Sequence, residues 1–148
     1  PEPRELRALL ARARISVLSP ATPRVLVVED LEPNRELLAT MLEQIGCQPV
    51  LAESGTEALG LLDREAFDLM LVDSQMPGMS GEDLMRRIRQ REKQTGGRIS
   101  AIVVTAHAMK GDRERYLALG MDGYVSKPVR RDHLLGAISQ ALNWAQTA

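Results

Sequence analysis

Glu29, Asp30, Asp73, Thr105 and Lys127 bring together three carboxylates, a hydroxyl and an ammonium group, each placed where a short apolar run ends. Glu29 and Asp30 follow Val25-Leu26-Val27-Val28, and Asp73 follows Leu69-Met70-Leu71-Val72. Thr105 closes Ala101-Ile102-Val103-Val104, and Lys127 comes just after Tyr124-Val125. Carboxylates gathered in one place repel one another and lose hydration, and a cation is the natural resolution. An oxygen-only donor set points to Mg2+, which prefers octahedral oxygen ligands and is typically held by one or two carboxylates together with a phosphate. A carboxylate in such a setting can attack a phosphoryl group to give an acyl phosphate, a transfer governed mainly by alignment and charge neutralisation. Mg2+ and Lys127 would neutralise the phosphoryl oxygens, and the Thr105 hydroxyl would donate to one of them.

For these residues to meet, the runs that carry them must be neighbouring strands with the same polarity. From Arg24 onward, five apolar runs, Pro49-Val50-Leu51-Ala52 being the remaining one, alternate with amphipathic stretches about a dozen residues long. That alternation predicts an α/β fold, a (βα)5 doubly wound sheet of five parallel strands with helices on both faces. Ligands in such sheets bind beyond the carboxyl ends of the strands, where all five candidate residues fall. Asn34 is the expected start of the first helix, whose Leu37, Leu38, Met41, Leu42 and Ile45 share a face, with Gly46 closing it. Ser54 with Glu57 and Ser80 with Asp83 have capping spacing. Asp112 and Asp132 are the expected openers of the fourth and fifth helices. In the fifth, Leu134, Leu135, Ile138, Ala141 and Leu142 form the apolar stripe, with Trp144 near its end.

Residues 1–23 differ in character. Arg4, Arg7, Arg12 and Arg14 flank Leu6, Leu9 and Leu10, ahead of Ser19-Pro20-Ala21-Thr22-Pro23. They read as a linker or N-terminal extension, alternatively a short docking helix, with residues 24–148 as the folded domain. The start at Pro1 suggests a piece of a longer protein.

Composition limits the partners. A net charge of −1 gives no general attraction to nucleic acid or to an anionic membrane, so recognition must be local. Aromatics at 3% leave an aliphatic core, in which Cys47, the single cysteine, reads as a small hydrophobe and not as half of a disulfide. With no membrane-spanning run and no secretory signal, a cytoplasmic location is expected, although the parent protein could be membrane-anchored. Zinc is not expected, because His107, His133 and one cysteine offer no ligand spacing.

The segments Val27-Val28-Glu29-Asp30, Val72-Asp73-Ser74-Gln75-Met76-Pro77, Thr105-Ala106-His107-Ala108-Met109 and Gly120-Met121-Asp122-Gly123-Tyr124-Val125-Ser126-Lys127-Pro128 together resemble the response-regulator receiver domain of two-component signalling. Asn34-Arg35, Gln75-Met76-Pro77 and Thr105-Ala106-His107-Ala108 look most like the receiver of a hybrid sensor histidine kinase. The resemblance implies a flavodoxin-like strand order 2-1-3-4-5 and a phosphorelay role. Asp73 would take its phosphoryl group from a phosphohistidine, on a histidine kinase or a histidine-phosphotransfer domain, with neighbouring kinase domains possible in the full-length protein. It implies that Glu29, Asp30, Asp73 and the backbone carbonyl of Gln75 hold Mg2+. It also implies that Lys127 contacts the phosphoryl group, aimed by a cis peptide before Pro128. Thr105 and Tyr124 would form a switch that remodels the face around the fourth helix, although Tyr124 also reads as simple packing. Such a receiver catalyses its own phosphotransfer and dephosphorylation, and no kinase catalytic domain is recognised in these residues. Leu31 and Ser80 depart from the pattern, standing where hybrid-type receivers often carry Asn and Asp. Gln75 and His107 lie two positions beyond the acceptor and the threonine, where side chains can overhang a phosphoryl group and tune attack by water.

Taken singly, these residues carry plainer readings: a strand-end Asp is often a turn residue, a strand-end Thr a β-former, and a lone Lys solvated surface. Their joint placement on one edge favours chemistry. A phosphatase with an aspartyl nucleophile is the enzymatic alternative, but Gln75 stands where such hydrolases usually carry a second acid. A receiver that docks a partner without being phosphorylated is the other, against which Asp73, Thr105 and Lys127 all argue. Glu29-Asp30-Leu31-Glu32 is no glycine-rich phosphate loop, and no DNA-binding unit is recognised.

Overall fold

A computed structural model describes residues 22–109 and 111–143 of the chain. The expectations for residues 1–21 and for Trp144 lie outside the described residues. The strands are β1 (Arg24–Val28), β2 (Gln48–Ala52), β3 (Leu69–Asp73), β4 (Ser100–Thr105) and β5 (Gly123–Ser126). The helices are α1 (Glu32–Ile45), α2 (Gly55–Arg64), α3 (Gly81–Thr95), α4 (Asp112–Ala118) and α5 (Arg131–Leu142). All strand pairs are parallel, in the order β2-β1-β3-β4-β5, as expected.

Period-two alternation divides the strand side chains between two cores. Val25, Val27, Leu69, Leu71, Ile102, Val104 and Val125 face Leu38, Leu42 and Ile45 of α1 and Leu134 and Ile138 of α5. On the opposite face Leu26, Val28, Met70, Val72, Ala101 and Val103 meet Leu84, Met85 and Ile88 of α3, Ala58 of α2 and Tyr116 of α4. Both faces of the sheet are therefore covered, and the continuous apolar character of β3 follows from its central position. Among the described residues no helix is long and apolar enough to cross a membrane.

Helix starts differ in part from expectation. Asn34 is not the cap of α1: the helix begins two residues earlier, at Glu32, with extended Leu31 in the capping position and Pro33 in the first turn. Proline supplies a helical φ and has no N–H to satisfy, which removes one of the unpaired donors of the helix start. Leu37 is also not a core residue, being 51% exposed. On a helix of 3.6 residues per turn it lies about 110° from the centre of the stripe formed by Leu38, Leu42 and Ile45. Ser54 and Ser80 do cap α2 and α3, each accepting a 3.1 Å bond from the backbone N–H three residues on. Gly111 takes the capping position of α4 while Asp112 accepts from the N–H of Met109 at 3.0 Å. Arg130 precedes α5 without a side-chain cap, leaving Asp132 in the first turn. Its stripe holds, with Leu134 and Ile138 buried and Leu135, Ala141 and Leu142 packed against them.

The first turn of α3 presses directly on the end of β3. A Cβ on Gly81 would stand 2.3 Å from the carbonyl oxygen of Asp73 and 2.9 Å from a methyl of Val72. Because the nearest atom is backbone, it has no rotamer through which to retreat, and glycine is required by space alone. Gly81→Ala is therefore expected to lower stability by roughly 1–3 kcal/mol in urea unfolding. An unchanged midpoint would mean that α3 can move off the strand without loss.

Candidate functional site

The strand ends place the predicted residues on one rim. Val28 lies opposite Val72, and Asp73 lies opposite Val104, so residues 29 and 30, 73 and 105 leave the sheet side by side. Thr105 in turn pairs with Ser126, which brings Lys127 to the same edge, where its N–H donates to the Thr105 carbonyl at 2.8 Å. The expected cis peptide is present between Lys127 and Pro128.

Glu29, Asp30 and Asp73 each present a carboxylate oxygen within 4.8 Å of the others. Glu29 and Asp73 are buried, with 1% and 4% of their surfaces exposed, so solvent does little to screen them. The first loop is held by Arg35, whose guanidinium donates to the carbonyl oxygens of Glu29 and Asp30 at 2.9 and 3.0 Å. It thereby draws backbone dipoles, and not the acidic side chains, towards a positive charge. One Glu29 oxygen accepts from the N–H of Leu31 at 3.2 Å. Burial nevertheless pushes the Glu29 carboxyl up to about 7, with hydrogen bonds to Asp30 and Asp73 and the charge of Asp73 acting in the same direction, against the lowering effect of the Leu31 bond.

Lys127 supplies a direct counter-charge, its Nζ lying 3.0 Å from Asp73 Oδ1. The same oxygen accepts from the N–H of Gln75 at 3.1 Å. The donor set fits a hard divalent cation: oxygen atoms only, close together, partly buried, and with more negative charge than Lys127 neutralises. Glu29, Asp30 and Asp73 would hold such an ion, which supplies charge neutralisation at phosphoryl oxygens when bound.

Gln75 and His107 meet above this rim, with Gln75 Nε2 and His107 Nε2 3.2 Å apart and both side chains exposed. His133 lies on the exposed surface of α5. Tyr124 is half-buried beside the second core and shares a surface depression with Arg113, Leu117 and Tyr116.

Two residues that strand-end reasoning passes over contribute to the site. Gly81 allows the start of α3 to approach Asp73; its signal is the Ser80-Gly81 pair, a helix cap followed by the smallest residue. Tyr116, 2% exposed, places its hydroxyl 2.8 Å from the hydroxyl of Thr105. Position within α4 offers no sequence signal for that contact, since a buried aromatic reads equally well as core. Thr105 also accepts from the N–H of His107 at 2.9 Å.

Comparisons with known proteins give matches to both the sequence and the fold. A sequence model described as response regulator receiver domain matches residues 25–139. The sensor protein GacS of Pseudomonas syringae is 38% identical over 132 residues, which are 88% of this chain and 14% of that protein. The chain thus spans about one seventh of that relative's length. A crystal structure of the receiver domain of a sensor histidine kinase from Pseudomonas aeruginosa, with a magnesium ion coordinated in its active-site cleft, is 31% identical at a TM-score of 0.72. That match covers 84% of this chain and all of the other. The receiver domain of Ssk1 from Saccharomyces cerevisiae, crystallised with the histidine phosphotransfer protein Ypd1, gives a TM-score of 0.76 at 27% identity, covering 83% of this chain and 90% of the matched chain.

Glu29 yields a prediction with a definite sign. The folded chain holds its proton up to about pH 7, whereas the unfolded chain releases it near the ordinary value of 4.5. Raising the pH from about 5 to about 8 in chelator should therefore cost the wild type roughly 1–3 kcal/mol relative to Glu29→Gln. Magnesium should restore the loss by binding the folded state alone. Parallel pH profiles for the two proteins in thermal melts would contradict this picture of Glu29.

Proposed function

The chain belongs to the response regulator receiver domain family, and from that premise we propose that Asp73 accepts a phosphoryl group from a phosphohistidine in a magnesium-dependent reaction. The observation that carries the proposal is the contact of Lys127 Nζ with Asp73 Oδ1 at 3.0 Å, on a carboxylate that also belongs to the acidic cluster. An Asp73 carboxylate oxygen attacks phosphorus, the new P–O bond forms as the P–N bond breaks, and the electron pair of the broken bond stays on the imidazole nitrogen. Glu29, Asp30, Asp73 and the Gln75 carbonyl are the assigned magnesium ligands. Lys127, already beside the acceptor, moves its hydrogen bond to a phosphoryl oxygen and stabilises the charge there.

Phosphorylation adds an acceptor for the buried Thr105 hydroxyl. We assign the switch to Thr105 and Tyr124: the threonine is drawn towards the phosphoryl group, and Tyr124 repacks in the space this leaves, shifting the population towards a conformer with a different surface around α4. Tyr124 is suited to this because it is half-buried at the margin of a depression lined by α4 residues. The partner is a histidine kinase or histidine-phosphotransfer domain, a reading supported by the Ypd1–Ssk1 co-crystal structure among the relatives. Residues 24–148 form the receiver and residues 1–23 its linker, within a hybrid sensor histidine kinase whose kinase domains are neighbours of this one. The receiver is assigned to the cytoplasm, where phosphohistidine is made.

With an acyl-phosphate donor and magnesium, the chain should gain about 80 Da by intact-mass spectrometry, the mass of about one phosphoryl group. Asp73→Asn should show no such gain, and Lys127→Ala should gain it far more slowly. Equal labelling of the Asn variant would assign the acceptor elsewhere.

A further inference from the structure

The Thr105 hydroxyl has a partner that the proposed switch leaves out. Its Oγ lies 2.8 Å from the phenol oxygen of Tyr116, and both side chains are almost wholly buried. The same phenol oxygen lies 3.3 Å from the carbonyl oxygen of His107, while the Thr105 hydroxyl lies 3.4 Å from that carbonyl and accepts from the His107 N–H at 2.9 Å. Two hydroxyl protons therefore serve a closed set of acceptors: the two hydroxyl oxygens and one carbonyl. Whichever hydroxyl donates across the 2.8 Å contact, the Thr105 proton is used within this set.

Tyr116 is also held firmly in place. It sits on α4 with its ring in the core beneath β4, and the Arg115 guanidinium stacks over that ring at 4.7 Å from its centre. Arg115 is paired in turn with Glu82, in the first turn of α3. The phenol is thus fixed between the helix that borders the acceptor loop and the strand that carries Thr105.

We propose that Tyr116 is a positioning residue that holds the Thr105 hydroxyl in the unphosphorylated arrangement, so that binding of a phosphoryl group at Asp73 must break the Thr105–Tyr116 hydrogen bond. The inference rests on the phosphoacceptor reading above, in which Thr105 is drawn towards the phosphoryl group. That movement leaves the buried phenol with the longer contact to the His107 carbonyl alone, a cost that exists only in the phosphorylated form. Tyr116 therefore sets how much of the phosphoryl group's affinity for Thr105 is consumed in release. It also ties that release to α4, the helix from which the phenol projects.

The test is calorimetric titration of the chain, at saturating magnesium, with beryllofluoride as a stand-in for a phosphoryl group on a carboxylate. Tyr116→Phe keeps the ring and removes the competing hydroxyl, and it should bind the probe about two- to tenfold more tightly than the wild type, as expected for loss of one neutral hydrogen bond from the resting state. In a Thr105→Val background the same substitution should have no effect, a coupling that mere packing of the ring would not produce. Tyr116→Leu, which removes the hydroxyl with a different side-chain volume, should shift affinity in the same direction. Unchanged or weaker binding by Tyr116→Phe, or an equal shift with and without the Thr105 hydroxyl, would overturn the assignment while wild-type binding left the phosphoacceptor reading standing. Wild-type protein that failed to bind beryllofluoride would overturn both.

Discussion

Holding three carboxylates within 4.8 Å of one another, two of them nearly without solvent, is an electrostatic cost that the rest of the structure must offset. Part of the offset is local. Lys127 contacts Asp73, Arg35 draws the carbonyls of residues 29 and 30, and Glu29 retains its proton to about pH 7. The remainder is a charge deficit that a cation can fill. A folded state that bears this cost without external help is one whose stability depends on what occupies the rim.

The sheet makes the cost sustainable. Parallel order β2-β1-β3 sets the carboxyl end of β1 beside that of β3, and apolar side chains from both helical layers fix those ends. Since Glu29, Asp30, Asp73, Thr105 and Lys127 each sit on the last position of a strand or just beyond it, small shifts in the loops alter the site while the core stays packed. Gly81 and Tyr116 extend this logic to the helices. One lets α3 lie against the backbone of Asp73, and the other joins α4 to the Thr105 hydroxyl.

Much of this was legible in the residue order. Five apolar runs separated by amphipathic segments of about a dozen residues point to parallel strands, which need a crossover of that length, whereas antiparallel neighbours can be joined by a short turn. The acids, threonine and lysine at the run ends then fall on one edge by polarity alone. What was not legible involves contacts between non-adjacent elements or competition at helix ends. Tyr116 approaches Thr105 only through the tertiary placement of α4, which no local pattern encodes. Asn34 has good capping chemistry, but Pro33 allows the helix to begin earlier and the cap goes unused. Leu37 belongs to the apolar pattern of α1 but lies too far around the helix to reach the sheet. Residue types specify which chemistry is available, and tertiary packing decides which hydroxyl or carboxylate is within reach.

The account depends most on a divalent cation being the missing counter-charge of the acidic rim. Anomalous diffraction from crystals of the chain soaked in manganese, an ion that shares magnesium's preference for oxygen ligands, tests that claim directly. A single strong peak between the carboxylates of Glu29, Asp30 and Asp73 is the expected result; an ordered rim with no peak there, or with manganese bound only at other surfaces, would contradict it.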